Sequence, residues 1–265
     1  MFTLSGYRVS HQVYKSHNSQ VYRAERESDG RSVIFKLLND EYPSAEKIAR
    51  FQREYEIMRT LNLSSVVDVY AFEKEHHNLV MVLEDFGGHS LEMLQRDNPE
   101  LFVGLDRLDD FLRFAMQISE ALGEIHQQNI IHKDINPSNI VFNPLNGTVK
   151  LIDFGLATVL SRENPTFRNP NVLEGTLAYM SPEQTGRMNR AVDYRTDLYS
   201  LGATFYELLS GQRPFKGTDS LSLVHAHIAR QPAPLTEHQP DLPEPINQIV
   251  LKLLSKNAED RYQSA

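Results

Sequence analysis

The chain has 265 residues, 40% of them hydrophobic, and a formal net charge of −8. That is enough apolar material for a sizeable core, which excludes a disordered chain, and the acidic balance argues against nucleic acid or an anionic membrane as the main partner. Cysteine is absent, so there is no disulfide framework or thiolate metal site; no apolar run approaches the ~18 residues of a membrane span and no signal peptide opens the chain, as suits the reducing cytoplasm.

The first third reads as strands. Residues 7–9, 21–24 and 32–37 are rich in β-branched and aromatic side chains, and Ser28-Asp29-Gly30 makes a turn between the last two. A helix follows, with Ser44 as its N-cap after Pro43 and an apolar face of Ile48, Phe51, Tyr55, Met58 and Leu61. Strands at 66–72 and 79–84 come next. From about residue 90 the pattern turns helical: Phe111, Phe114, Ala115, Ile118, Leu122 and Ile125 share one face. Leu198, Leu201, Phe205, Leu208 and Leu209 share another, closed by Gly211 and Pro214, and a last face runs from Ile246 to Leu254. Gly87-Gly88 mark a hinge between the two regions. The neighbours His76-His77, and His225 and His227 two apart on a helix, read as solvated histidines rather than metal ligands. The sequence stops at DRYQSA without a helix stop signal, as expected of a domain cut from a longer protein.

One stretch stands out. Residues 132–139, HKDINPSN, set polar side chains between the apolar pieces Ile130-Ile131 and Ile140-Val141-Phe142. Asn139 follows Asp134 by five residues, and Asp153-Phe154-Gly155 follows it by 19, after a strand at 149–152. Two loops that each carry an acid, joined by a short hairpin, can converge on one point. An ordinary polar turn between core elements is the plain alternative.

On these residues the chain resembles a protein kinase catalytic domain over nearly its whole length. The resemblance implies an α+β, bilobal kinase-like fold. It has a small β-rich N-lobe with one helix (residues 1–86) and a larger α-helical C-lobe (87–265). It also implies ATP and Mg²⁺ as cofactors and a protein substrate. Asp134 would orient the attacking hydroxyl, and Asn139 and Asp153 would hold the metal. Lys36, ending VIFK, would contact the nucleotide phosphates, with Glu54 as its ion-pair partner. Val13, Val21 and Val141 would line the nucleotide, and the backbone of Glu84 and Phe86, after the gatekeeper Leu83, would hold adenine. The stretch GTLAYMSPE (175–183) resembles the end of an activation segment. Thr176 there implies a contact to Asp134 and a serine/threonine preference, and Arg261 implies a structural pair with Glu183. Ser161 and Thr166 are candidate phosphosites.

The chain departs from that pattern in four respects. Tyr14, Ser16 and Ser19 occupy the glycine positions of the phosphate-covering loop, where a hydroxyl of either small serine could donate to a phosphate oxygen and Asn18 tolerates left-handed angles. A non-glycine residue forced into left-handed angles costs about 1–2 kcal/mol, or about tenfold in affinity. Asn136 replaces a lysine that reaches the transferred phosphate; it can donate there but not neutralise charge. Lys133 replaces a bidentate arginine, which puts control by loop phosphorylation in doubt. Ile34 replaces the alanine that roofs adenine. These departures leave a pseudokinase or nucleotide-binding module as the alternative to an active kinase, while GTLAYMSPEQ speaks against a small-molecule kinase. HKDINPSNIVFN and VYKSHNSQVYRA resemble, more narrowly, the N-terminal kinase domain of large bacterial signalling proteins with ATPase, GAF and sensor histidine kinase parts. That resemblance implies regulatory domains in the same polypeptide.

Overall fold

The computed structural model describes residues 3–16, 19–40, 42–75, 78–160, 175–188, 190–217 and 219–265, without the side chain of Leu105. Asn18, His76, His77, Ser161 and Thr166 lie outside the described residues. The chain forms two compact units. One comprises Met1–Gly88 with Asp153–Gly155, and the other His89–Ile152 with Leu156–Ala265.

The first unit is built on a five-stranded antiparallel sheet in the order β1-β2-β3-β5-β4, where β1 is Tyr7–Lys15, β2 Ser19–Arg26, β3 Ser32–Leu38, β4 Val69–Glu75 and β5 Asn78–Glu84. Side chains alternate between faces along a strand. Val33, Phe35 and Leu37 therefore point one way, into a core with Leu4, Ala24, Val80 and Val82. The next residues in β3 point the other way. In register, Tyr14, Val21, Lys36 and Met81 make one cross-strand row, and Arg23, Ile34 and Leu83 make the adjacent row. β1 runs six residues past its predicted end, to Lys15. Register shifts at Val9/His11 and Gln12/Tyr14 break the alternation a sequence reading relies on.

The unit's one helix, α1 (Ala45–Leu61), starts where predicted: Ser44 Oγ accepts from Lys47 N at 3.3 Å. It ends on Asn62 in the left-handed region (φ 43°). Phe51 and Tyr55 pack on Phe72 of β4 with ring centroids 5.7 and 5.0 Å apart. Within its buried stripe of Phe51, Ile57, Met58 and Leu61 sits Glu54, only 3% exposed. An acid in that position needs a partner.

The second unit is mainly helical. Its elements are β6 (His89–Ser90), α2 (Leu91–Asp97), α3 (Leu108–Gln127), β7 (Ile130–Ile131), β8 (Ile140–Asn143), β9 (Thr148–Leu151), β10 (Thr158–Val159), α4 (Arg195–Ser210), α5 (Ser220–Ala229) and α6 (Glu244–Leu253). α4 is buried on nearly every side and stops at Gly211, whose φ of 69° glycine takes without strain. α6 packs on α4 at Gly202, where a Cβ would lie 2.6 Å from Leu253 Cβ. Gly202→Ala is therefore expected to cost about 1–3 kcal/mol by overpacking, read as a lower denaturant midpoint. An unchanged midpoint would show that the helices part freely.

The histidine expectation holds for His225, which is exposed, and fails for His227. His227 is 1% exposed and sits 2.9 Å from Tyr199 Oη and edge-on to Phe215. Burial pushes its pKa down to about 4, so it is a neutral core residue. The sequence gives no sign of which face of α5 is covered. No helix among the described residues is long and apolar enough to cross a membrane.

Candidate active site

In the first unit, three elements meet at Lys36. Its Nζ lies 2.5 Å from Glu54 Oε1 on α1 and 3.1 Å from Asp153 Oδ1. These pairings, and a bond from Arg50 Nε to the Gly155 carbonyl (2.8 Å), bring Asp153–Gly155 into this unit although the sequence lies far away. Burial alone would strip the proton from Lys36, but the two carboxylates outweigh it and hold its pKa above the ordinary lysine value. For Glu54, burial raises the pKa, Lys36 opposes that and Asp153 adds to it; the result is pushed up to about 7. Asp153 takes φ 62°, which aspartate tolerates, and its side chain is 40% exposed.

The raised Glu54 pKa has a sign. Because it lies above the ordinary 4.5, this group's contribution to stability is full below about pH 4.5 and is lost as pH rises through about 7. The denaturation midpoint is thus expected to fall relative to Glu54→Gln across that window. A constant difference between the two proteins would contradict it.

In the second unit, the loop 132–139 is set by Asp197 in the first turn of α4. Asp197 accepts from His126 Nε2 (2.9 Å), His132 N (2.8 Å) and Lys133 N (2.7 Å). Burial pushes the Asp197 carboxyl up, but these bonds prevail and hold it below the usual value. Lys133, with φ 70°, is clamped at both ends, since Gln184 Nε2 donates to its carbonyl at 2.7 Å. Such over-determination is what lets a non-glycine residue persist at a cost of about 1–3 kcal/mol.

The clamped turn presents Asp134. Its Oδ1 accepts from Thr176 N at 2.9 Å and its Oδ2 from Asn139 Nδ2 at 3.0 Å. The contact expected from Thr176 is therefore made by its backbone; its hydroxyl instead accepts from Asn136 Nδ2 at 3.2 Å. Gly175 takes φ 100°, which strains any side chain, although a Cβ there would meet only ordinary contacts, the nearest 3.4 Å away at Asp134 Oδ1. Asn139 donates its Nδ2 both to the Asp134 carbonyl at 2.8 Å and to Asp134 Oδ2. The pair expected between Glu183 and Arg261 is present, at 2.6 Å with Arg261 buried.

Asn136 sits differently from its sequence expectation. It is 1% exposed, donates to the Asp134 carbonyl (2.9 Å) and to Thr176, and accepts from Ser138 N (2.9 Å). An amide with both hydrogens engaged braces the loop and has none to offer a phosphate. Lys133 reaches Thr158 Oγ1 at 3.5 Å.

Of the residues expected around adenine, Val13 (β1), Val21 (β2), Glu84 (end of β5), Phe86 and Val141 (β8) are all half-buried. Val21 pairs across the sheet with both Tyr14 and Lys36. The glycine-free hairpin is held by side chains. Ser16 Oγ accepts from Ser19 N at 2.9 Å and lies 3.2 Å from Ser19 Oγ, and Asn39 Nδ2 donates to the Ser16 carbonyl at 2.7 Å. Gln20 Nε2 donates in turn to Asn39 Oδ1 at 2.6 Å. The two hydroxyls bond to each other's residues, where the sequence reading had them donate to phosphate.

Sequence reasoning missed Arg50, Asn39 and Gln20. Arg50 lies one turn before Glu54 on α1, so the spacing was visible, but its bond to Gly155 crosses 105 residues.

Comparison with known proteins agrees with this geometry. The model of the protein kinase domain family matches residues 7–265. The serine/threonine-protein kinase pkn3 of Myxococcus xanthus is 31% identical over 98% of this chain and 48% of its own length. PrkC of Bacillus subtilis is 31% identical over 93% of this chain and 37% of its own length, and PknA of Mycobacterium tuberculosis is 32% identical over 99% and 59%. The chain thus spans roughly half or less of most of the curated relatives it matches. With a family model covering nearly every residue, and a sheet-based unit and a helical unit to match, the chain belongs to the protein kinase domain family.

Proposed function

We propose that this domain transfers the γ-phosphate of ATP to serine or threonine hydroxyls of protein substrates, in bacterial signalling. The observation that carries the proposal is the lysine clasped between two carboxylates, Lys36 with Glu54 and Asp153. A buried cation so held is pre-positioned for phosphate oxygens, and positioning with charge stabilisation is what phosphoryl transfer needs. Glu54 keeps Lys36 aimed. The hard oxygen donors Asp153 and Asn139 suit Mg²⁺, and the exposure of Asp153 leaves it accessible. When bound, Mg²⁺ offsets phosphate charge. Asp134, oriented by Thr176 N and Asn139, accepts a hydrogen bond from the substrate hydroxyl and takes its proton as the phosphate leaves ATP. The backbone of Glu84 and Phe86 holds adenine, and Val13, Val21 and Val141 line it. Asn136 braces the loop rather than touching phosphate.

Labelled ATP with Mg²⁺, incubated with the domain and a generic basic protein, is expected to label protein above an Asp153→Asn control. Labelling no higher than the control would overturn the proposal. A second reading, a pseudokinase, draws on the glycine-free hairpin and on Asn136. It is favoured if ATP with Mg²⁺ raises the melting temperature and no phosphate is transferred. Further regulatory domains in the same polypeptide fit the narrower sequence resemblance. They would make the activity of the full-length protein differ from that of residues 1–265, which a side-by-side assay reads directly.

A further inference from the structure

Asp85 follows β5 by one residue, where adenine recognition through the backbone asks for no particular side chain. Its side chain is nevertheless only 7% exposed. Arg23 of β2 holds it, with Nε 2.7 Å from Oδ2 and Nη2 donating to Oδ1 at 3.2 Å. Ser32, the first residue of β3, donates its hydroxyl to Oδ2 at 2.7 Å. Gly87 N donates to Oδ1 at 3.1 Å, and Gly87 takes φ 77°, open to glycine without strain. One carboxylate thus ties together β2, β3 and the segment that leaves β5. Burial works against its ionisation, yet the bonds from Ser32, Gly87 and Arg23 keep the carboxyl below its usual range.

The sheet register places this cluster. Arg23, Ile34 and Leu83 form the row next to Val21, Lys36 and Met81, on the same face as Lys36. A buried ion pair adds little net stability over an apolar pair of the same size. What it does supply is direction: several bonds of fixed geometry converge on the residue between Glu84 and Phe86.

We propose that Arg23 and Asp85 form a positioning latch for the nucleotide base. The latch fixes the path of residues 84–87 so that the backbone of Glu84 and Phe86 meets adenine. It therefore sets affinity for ATP and leaves the chemical step alone. This rests on the kinase reading above.

Steady-state kinetics in ATP test it. Asp85→Asn and Arg23→Met are each expected to raise the KM for ATP by about tenfold with kcat within about twofold, the pattern of lost uniform binding. The double variant is expected to be no worse than either single one, because each removes the same interaction. Arg23→Lys, which keeps the charge and loses the fork, should fall between. A KM within about twofold of wild type in Asp85→Asn, a fall in kcat at constant KM, or additive losses in the double variant would each overturn the latch. If Asp85→Asn fails to fold, Arg23→Lys and Ser32→Ala decide by the same criteria. A wild-type protein that transfers no phosphate would instead overturn the kinase reading, and calorimetric Kd values for ATP in the same variants would then decide the latch.

Discussion

Asp134→Asn is expected to lower kcat for phosphate transfer by about 10³-fold, with the KM for ATP within about threefold of wild type. The asparagine keeps the size of the side chain and one acceptor oxygen. It can still accept from Thr176 N, which now holds Asp134 Oδ1 at 2.9 Å. The backbone turn survives too, because Asp197 fixes it through the amides of His132 and Lys133. What is lost is the carboxylate that orients the hydroxyl and takes its proton. Its new amide hydrogens would also face Asn139 Nδ2, a donor against a donor. A kcat within about tenfold of wild type would show that Asp134 is not the base, whatever the rest of the loop does.

Arg261→Met is expected to destabilise the domain by about 3–5 kcal/mol, since it leaves Glu183 charged, buried and unpaired. Arg261 makes more than the one pair. Its Nη1 and Nη2 reach Glu183 at 2.6 and 2.8 Å, and its Nε donates to the Ser255 carbonyl at 2.8 Å. It also donates to the carbonyls of Arg195 (2.9 Å) and Lys256 (3.2 Å), so one guanidinium ties the start of α4, the end of the activation segment and the chain after α6 together. The melting temperature should drop by roughly 6–20 °C for a domain of this size. Arg190→Ala is the control. Its partner Glu259 is 63% exposed, and a surface pair of that kind is worth about 0–1 kcal/mol. Equal losses in the two variants would contradict the assignment of Arg261 as a structural buried cation. Removing both charges, as Glu183→Leu with Arg261→Met, should recover part of the loss.

The fold was legible where a pattern is local. The β-branched runs gave β2, β3 and β5 to within about a residue or two, and the apolar stripes gave α1, α3, α4 and α6. α2 went unread because seven residues are too few for a period of 3.6 to show, although Ser90 caps it. β4 begins at Val69 rather than Val66 because Val66 and Val67 are buried in the short segment between the turn at Ser64-Ser65 and the strand, and apolar character alone does not separate the two. The site was legible wherever chemistry restricts residue type. Aspartate, asparagine and lysine at fixed spacing have few substitutes, and the Lys36–Glu54 pairing followed from position. What could not be read was how neighbours use each side chain. Asn136 looks from sequence like a weakened phosphate contact, and only its bonds to Asp134 and Thr176 show it spent within the loop. Ser16 and Ser19 look like hydroxyl donors in place of glycine, and Asn39 and Gln20 turn them into a stitched hairpin. Arg23 and Asp85 are 62 residues apart, so no local signal joins them.

The most direct measurement is mass spectrometry of a basic substrate protein after incubation with ATP and Mg²⁺. Wild type is expected to place phosphate on serine and threonine residues, and Asp134→Asn to leave the same peptides unmodified while still binding ATP. A wild-type domain that binds ATP with Mg²⁺ yet leaves every substrate hydroxyl, and its own, unmodified would contradict the account.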